Sequence, residues 1–519
     1  MSDATGQIEG GSIWQDPVSR FALLAVGAAV LIRLIFIGLV DLLPEEAYYW
    51  NYAAHLDAGY LDHPPMVAWL QWLTMHVFGR SEFAVRFPAF VCWLVFAWFM
   101  YRLTREIAGT RAVAPTLLLI AVLPIYWSVG FLQTPDAPLY ACWAAGLYYF
   151  HRVLVRRSNA AWLGVGLAVG LGLLSKYTTG LLVGAALVFI LLDKKSRRLV
   201  LTPGPYLAAL LAVVIFSPVL YWNANNHWAS FAFQGSRRWS MATHFNLHVL
   251  IGSALVLLTP VGFVDAIRVI ARNIRRGLTA WRTRIAVDRD RLFALVFCLA
   301  PLLVFVVHSI SNQTKLNWTG PVWLSILPLV ALRMLRPGEK QTTRARLAPA
   351  WTVTFAVLIC LYPIGLGWMA LGGPGMPESE WKALPVAWEE FGAEVEEIEE
   401  SLEQSSGVEP LIAGTDKYWI ASQLSFYHDG TDDRDSLPEF AGSGILHRND
   451  LMWSRWMPRA SARGREVLLV GFDQHAIDDG DVAPYFASLT PVRRQPIEQR
   501  GREVGAFYWR VGSGYIPAN

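Results

Sequence analysis

An α-helical polytopic membrane protein with a small exterior α/β domain at its C-terminal end is the fold class this sequence predicts, on three observations. Only 16% of its 519 residues are charged and 54% are hydrophobic, whereas soluble domains carry nearer a quarter charged residues. Long apolar runs such as 21–40, 113–129 and 249–264 recur between short polar loops, and several approach the roughly 20 residues that span a bilayer as a helix. Basic residues are concentrated in alternate loops, the pattern of a chain with a fixed orientation in a membrane.

Taken in order, the runs predict about eleven spans, near 21–40, 85–101, 112–130, 137–151, 160–174, 178–192, 206–222, 248–269, 292–310, 319–334 and 349–370. About twenty polar residues precede the first run, with no basic cluster and no small-residue cleavage site after it. That run therefore reads as a retained helix rather than a signal peptide. One set of loops carries Arg102, Arg105 and Arg111, then Arg152, Arg156 and Arg157, Lys194 to Arg198, Arg272 to Arg284, and Arg333 to Arg346. The positive-inside rule makes these cytoplasmic. The opposite set (41–84, 131–136, 175–177, 223–247 and 311–318) is nearly devoid of basic residues and faces the periplasm or an equivalent exterior.

An odd number of spans sends the tail to that exterior side. The expected division is a transmembrane module over residues 1–372 and a soluble domain over 373–519. The tail has a helix-like acidic stretch from Glu389 to Glu403 and strand-like runs at Leu411 to Ala413, Val467 to Val470 and Ala506 to Val511, the makings of a small α/β domain.

The net charge of +3 gives no nucleic-acid footprint. Cys92, Cys142, Cys298 and Cys360 lie inside apolar runs at unrelated spacings, so neither a disulfide nor a zinc framework is readable. His and acidic residues lack ligand spacing apart from Asp62-His63. No P-loop or dinucleotide fingerprint occurs, and an exterior site without a nucleotide motif favours a lipid-carried substrate.

Ionisable groups beside membrane ends are costly and mark function by default. The first exterior loop contains Pro44-Glu45-Glu46-Ala47-Tyr48-Tyr49-Trp50 and then Gly59-Tyr60-Leu61-Asp62-His63-Pro64-Pro65. Its adjacent carboxylates suit a general base held at the water-lipid boundary. The same residues also read as a plain helix start, with proline and acids in the first turn. Asp136, in Gln133-Thr134-Pro135-Asp136-Ala137-Pro138, reads locally as a helix cap and is equally a second exterior carboxylate. Lys176, Arg237-Arg238 and Lys315 are isolated cations on an otherwise uncharged face, which suggests a phosphate there; snorkelling to headgroups is the alternative. Arg33 and Asp265 lie inside spans and read as structural pairs or snorkelling groups.

With Gly172-Leu173-Leu174-Ser175-Lys176-Tyr177 and Lys315-Leu316-Asn317-Trp318-Thr319-Gly320-Pro321, these motifs together resemble the GT-C membrane glycosyltransferases of the protein O-mannosyltransferase and aminoarabinose transferase superfamily. The resemblance runs from about residue 21 to 335, with generic similarity in the tail. It implies transfer of a sugar from a polyprenyl-phosphate carrier to a glycan, lipid A or protein acceptor outside the cytoplasm, by inversion and without metal or cofactor. It places the enzyme in a bacterial inner membrane with a periplasmic C-terminal domain. The base is then Glu45 or Glu46, where the family usually begins the pair with Asp. The resemblance assigns Lys176, Arg237, Arg238 and Lys315 to the leaving phosphate, and Asp136, Tyr48, Tyr49, Asp62, His63 and Asn317 to supporting the base or orienting the sugar. A lipid-linked sugar flippase shares the spans and the basic sites, but it calls for midplane charges and repeated halves, and no repeat is detected. A glycan polymerase or ligase differs mainly in acceptor and donor length.

Overall fold

The computed structural model describes residues 16–235, 245–336, 346–428 and 440–517. Among the described residues, six helices are long and apolar enough to cross a membrane: α1 (Pro17–Phe36), α4 (Glu82–Ala108), α10 (Gly204–Asn225), α12 (Leu247–Arg282), α13 (Arg289–Ser311) and α15 (Pro349–Ala370). Shorter helices stand at the other expected spans: α5 (Val113–Val122) with α6 (Pro124–Ser128), α7 (Asp136–Leu154), α8 (Ala161–Ser175), α9 (Gly180–Leu192), and a 3-10 segment, Leu316–Ser325, followed by α14 (Leu327–Met334). The chain is a multi-pass membrane protein.

Proline and glycine explain where these segments depart from single straight helices. Leu123 is extended because Pro124 follows it and begins α6, since the residue before proline is pushed out of the helical region. Helix α12 is also broken before a proline, Pro260, where Thr259 leaves the helical region with φ 63°. The span expected at 319–334 starts as a 3-10 turn containing Gly320 and Pro321. A Cβ on Gly320 would lie 1.7 Å from the Tyr140 hydroxyl, so only glycine lets this segment pack so closely on α7. At 36 residues, α12 is about 54 Å long, well beyond a hydrocarbon core of roughly 30 Å. Its last turns project from the membrane and carry Arg272, Arg275, Arg276 and Arg282.

Both intramembrane charges are held by the bundle. The buried Arg33 guanidinium donates to the carbonyls of Ala121 and Trp127 and lies 4.4 Å from the Trp93 ring centroid. Asp265 accepts from Arg333 Nε at 2.7 Å and from Trp351 Nε1 at 2.9 Å.

The first exterior loop is ordered rather than irregular. It folds into α2 (Pro44–Ala54) and α3 (Met66–Phe78). Proline at the first position of α2 and the return of the Glu46 carboxylate to the Leu43 N–H at 3.1 Å fix its start. Neighbouring residues on a helix point about 100° apart, so Glu45 and Glu46 diverge. Glu46 enters the core, where its Oε2 lies 2.7 Å from Arg86 of α4, both side chains fully buried. Arg86 also donates to the carbonyls of Ile37 and Val40, and the Gln133 N–H donates to Glu46 Oε1 at 3.0 Å. One ion pair thus ties together the end of α1, the start of α2, α4 and the turn leading to α7.

Beyond α15, helix α16 (Trp388–Ser406) and a six-stranded sheet form the C-terminal domain. A two-stranded ladder, β1 (Leu335–Arg336) with β2 (Arg346–Leu347), precedes α15. In the sheet, β3 (Leu411–Gly414) pairs parallel with β4 (Phe440–Ala441) and β5 (Val467–Gly471), while β8 (Arg502–Ser513) runs antiparallel to β5, β6 (Ser488–Leu489) and β7 (Arg493–Gln499). The expected acidic helix and three strand-like runs lie within α16, β3, β5 and β8. Trp388, Phe391 and Val395 of α16 pack with Ile497 and Phe507 of the sheet.

Helix α17 (Trp419–Tyr427) docks this domain onto α2. Gln423 Nε2 donates to the Leu42 carbonyl at 2.8 Å, the Ser425 hydroxyl donates to Asn51 Oδ1 at 2.9 Å, and Phe426 meets Trp50 edge-on at 5.3 Å. Asp41 adds a second tie by accepting the Trp388 N–H at 2.8 Å.

Two outcomes follow from these junctions. Glu46→Ala strands a buried guanidinium, at a cost of about 3–5 kcal/mol; the thermal midpoint and yield of folded protein in detergent should fall steeply, whereas Glu45→Ala leaves both near wild type. Burial pushes the Asp41 carboxyl up to about 7, against the opposing effect of the Trp388 N–H. The folded chain therefore binds this proton more tightly than the unfolded chain. The resulting stability is fully present below the ordinary carboxylate range and is lost as pH rises through about 7. Melting curves between about pH 5.5 and pH 8 should decline more steeply in wild type than in Asp41→Asn.

Candidate functional site

With Glu46 committed to Arg86, Glu45 is left half-buried on a different side of α2. The hydroxyl of Tyr418, from the C-terminal domain, stands 3.5 Å from Glu45 Oε1. The Tyr418 ring packs on Tyr48 at 4.6 Å between centroids. The carboxylate thus sits at the seam between the membrane bundle and the domain.

Asp62, buried and outside the spans, is held by the hydroxyls of Tyr52 and, at 3.0 Å, Tyr48. Burial pushes its carboxyl up from the ordinary range, opposed by these tyrosines and more weakly by Lys417 of the domain. Tyr48 and Tyr52 lie one helical turn apart and so reach the same oxygen. Gln234 Nε2 donates to the Asp62 carbonyl at 2.5 Å, tying α11 (Ala229–Gln234) to this loop. His63 meets Tyr49 edge-on at 5.5 Å.

Asp136 opens α7 without capping it: Pro135 occupies the cap position and the helix has no side-chain cap. Its carboxylate instead binds Lys176 Nζ at 2.8 Å through one oxygen and Asn317 Nδ2 through the other. Asp136 therefore joins the start of α7, the end of α8 and the 3-10 segment. Lys315 is exposed two residues before Asn317 and makes no ion pair with a described residue. Arg237 and Arg238 lie outside the described residues.

Tyr49 shows that these groups converge. Burial raises its phenol well above the ordinary value, and the carboxylates of Asp62, Glu45 and Asp136 push it the same way. Carboxylates from α2, the loop before α3 and the start of α7 therefore act on one tyrosine. Chemically the cluster offers a half-open carboxylate, a carboxylate-lysine-amide triplet, a buried acid held by tyrosines, and a wall of aromatic rings suited to a sugar face.

Three contributors escaped the sequence reading. Arg86 carried a legible signal, as an arginine inside an apolar run at its exterior end. Tyr418 and Lys417 carried none, because only tertiary packing sets the domain against α2. Among the described residues no group of three or more His, Cys, Asp or Glu is arranged to hold a metal ion.

Residues 62–222 match the dolichyl-phosphate-mannose-protein mannosyltransferase family model. The lipopolysaccharide core galacturonosyltransferase RgtA of Rhizobium johnstonii is 27% identical over 359 residues, covering 66% of this chain and 69% of that protein. The lipid A galacturonosyltransferase RgtD of the same organism is 28% identical over 356 residues, covering 67% of this chain and 66% of that protein. The matches thus span about two thirds of each relative. ArnT from Cupriavidus metallidurans bound to undecaprenyl phosphate superposes with a TM-score of 0.59 at 16% identity, covering 95% of this chain and 98% of that one. The architecture and the relatives point the same way as the ordered exterior motifs, toward the GT-C membrane glycosyltransferases of the protein O-mannosyltransferase and aminoarabinose transferase superfamily.

Proposed function

We propose that this glycosyltransferase moves a sugar from a polyprenyl phosphate to a lipid A or lipopolysaccharide acceptor on the periplasmic face of the inner membrane, with Glu45 as the general base. One observation carries the assignment of the base: of the two adjacent acids, Glu46 is consumed by a fully buried ion pair, while Glu45 faces the seam where acceptor and donor can meet. The printed activities of the relatives support the donor and acceptor classes. The scarcity of basic residues in the loops around the site supports the periplasmic orientation.

In this reading the acceptor hydroxyl gives its proton to the Glu45 carboxylate as its oxygen bonds to the anomeric carbon. The bond from that carbon to the carrier phosphate breaks, and the electron pair leaves with the phosphate, inverting the anomeric centre. Lys176, Lys315, Arg237 and Arg238 offset the developing phosphate charge. Asp136 holds Lys176 and Asn317 in place. Tyr48, Tyr49, Asp62 and His63 line the sugar side. Tyr418 is a positioning residue that orients the Glu45 carboxylate.

Release of polyprenyl phosphate from radiolabelled donors, with envelope fractions as acceptor, tests the assignment. Glu45→Gln should lose about 10²–10⁴-fold in turnover at unchanged folded yield. Full activity in this variant removes Glu45 as the base. Tyr418→Phe should lower kcat by roughly 10-fold with little change in KM and move the acidic limb of the pH profile; an unchanged profile leaves Tyr418 only a packing role. Wild type that never releases carrier phosphate, yet moves donors across proteoliposome bilayers, would establish a flippase instead.

A further inference from the structure

The end of the bundle opposite the candidate site contains a cavity of about 200 Å³ between α12, α13 and α14. Five arginines converge on it: Arg268, Arg272, Arg276, Arg291 and Arg333. The positive-inside rule accounts for arginines in loops on this side, but not for guanidinium groups from three helices turned onto one cavity. Two carboxylates answer them. Asp265 Oδ1 lies 2.7 Å from Arg333 Nε and 3.4 Å from an Arg268 nitrogen, and Asp288 lies 3.0 Å from Arg291. The side chains of Arg272 and Arg276, one turn apart on α12, make no ion pair or hydrogen bond with a described residue. Between them Asn273 is buried, and its Oδ1 has no hydrogen-bond partner among the described residues.

A second cavity of about 480 Å³ shares Arg268 and Arg333 with the first. Its wall also carries Asp265 and Arg336 and is apolar along Val261, Val264 and Trp351, toward the membrane-spanning part of α12. A small inorganic anion would use the arginine cavity alone. A basic cavity adjoining a larger, partly apolar one beside spanning helices fits an anion that carries acyl chains.

We infer that these adjoining cavities bind an anionic glycerophospholipid of the leaflet on that face. Its phosphate lies among the five arginines, a headgroup hydroxyl donates to Asn273 Oδ1, and an acyl chain runs along Val261 and Trp351. The site uses no residue of the sugar-transfer reading and stands or falls apart from it.

Native mass spectrometry of the purified full chain, titrated with phosphatidylglycerol, phosphatidylcholine, undecaprenyl phosphate or inorganic phosphate, tests the site. Wild type should retain one phosphatidylglycerol in preference to phosphatidylcholine. Arg272→Gln/Arg276→Gln should weaken that binding roughly 30-fold, at about 5-fold per arginine near a membrane surface. The unpaired state of both side chains predicts a folded variant; should the double variant fail to fold, Arg272→Gln alone reads the same effect at about 5-fold. Unchanged phosphatidylglycerol retention in the folded variant overturns the inference. Displacement of the lipid by equimolar inorganic phosphate shows a free-anion site and overturns it as well. Tighter retention of undecaprenyl phosphate than of phosphatidylglycerol at these arginines assigns the cavity to the carrier lipid instead.

Discussion

The buried pair between Arg86 and Glu46 is the contact on which the candidate site depends. A fully buried guanidinium and carboxylate persist only when their remaining hydrogen-bonding capacity is met, and here the carbonyls after α1, the Leu43 N–H and the Gln133 N–H supply the partners. That requirement holds three chain segments at fixed spacing. Because α2 turns about 100° per residue, anchoring Glu46 inward also determines where Glu45 faces. A structural acid and a free acid therefore sit side by side in sequence, with separate tasks.

A second level of organisation comes from the C-terminal domain. Helix α17 covers α2 through polar ties to Leu42 and Asn51 and through aromatic packing, and the residues just before it bring Lys417 and Tyr418 to the site. The bundle supplies Glu45, Asp62, Asp136 and Lys176, but the face of Glu45 is completed by the domain. Rigid attachment matters because catalytic groups lose effectiveness with displacements of about 1 Å. The many tyrosines serve the same end: they pack as apolar rings while their hydroxyls satisfy buried carboxylates.

Charge is arranged differently at the two ends of the bundle. Around the candidate site, cations and carboxylates are few and closely partnered, as in the Asp136, Lys176 and Asn317 triplet. At the other end guanidinium groups outnumber carboxylates around the two adjoining cavities. One end thus pairs its few charges closely, and the other presents an excess of positive charge.

Apolar run length by itself determined the places of the helical segments, because roughly 20 residues of hydrocarbon-compatible chain have few alternatives to helix in a bilayer. The exterior motifs, with their charges in otherwise neutral loops, likewise exposed Glu45, Asp62, Asp136 and Lys176 as candidates. Sequence left Glu45 and Glu46 equivalent, since two adjacent acids at a helix start look alike until a partner is known. Asp136 looked like a cap, and only its distant partners, Lys176 and Asn317, gave it another place. The break of α5 at Leu123, the extension of α12 and the 3-10 start at Leu316 depended on proline, glycine and close packing that a hydropathy pattern does not encode. Tyr418 and the arginine cavity were decided by tertiary structure alone, because residues hundreds of positions apart become neighbours only when helices pack.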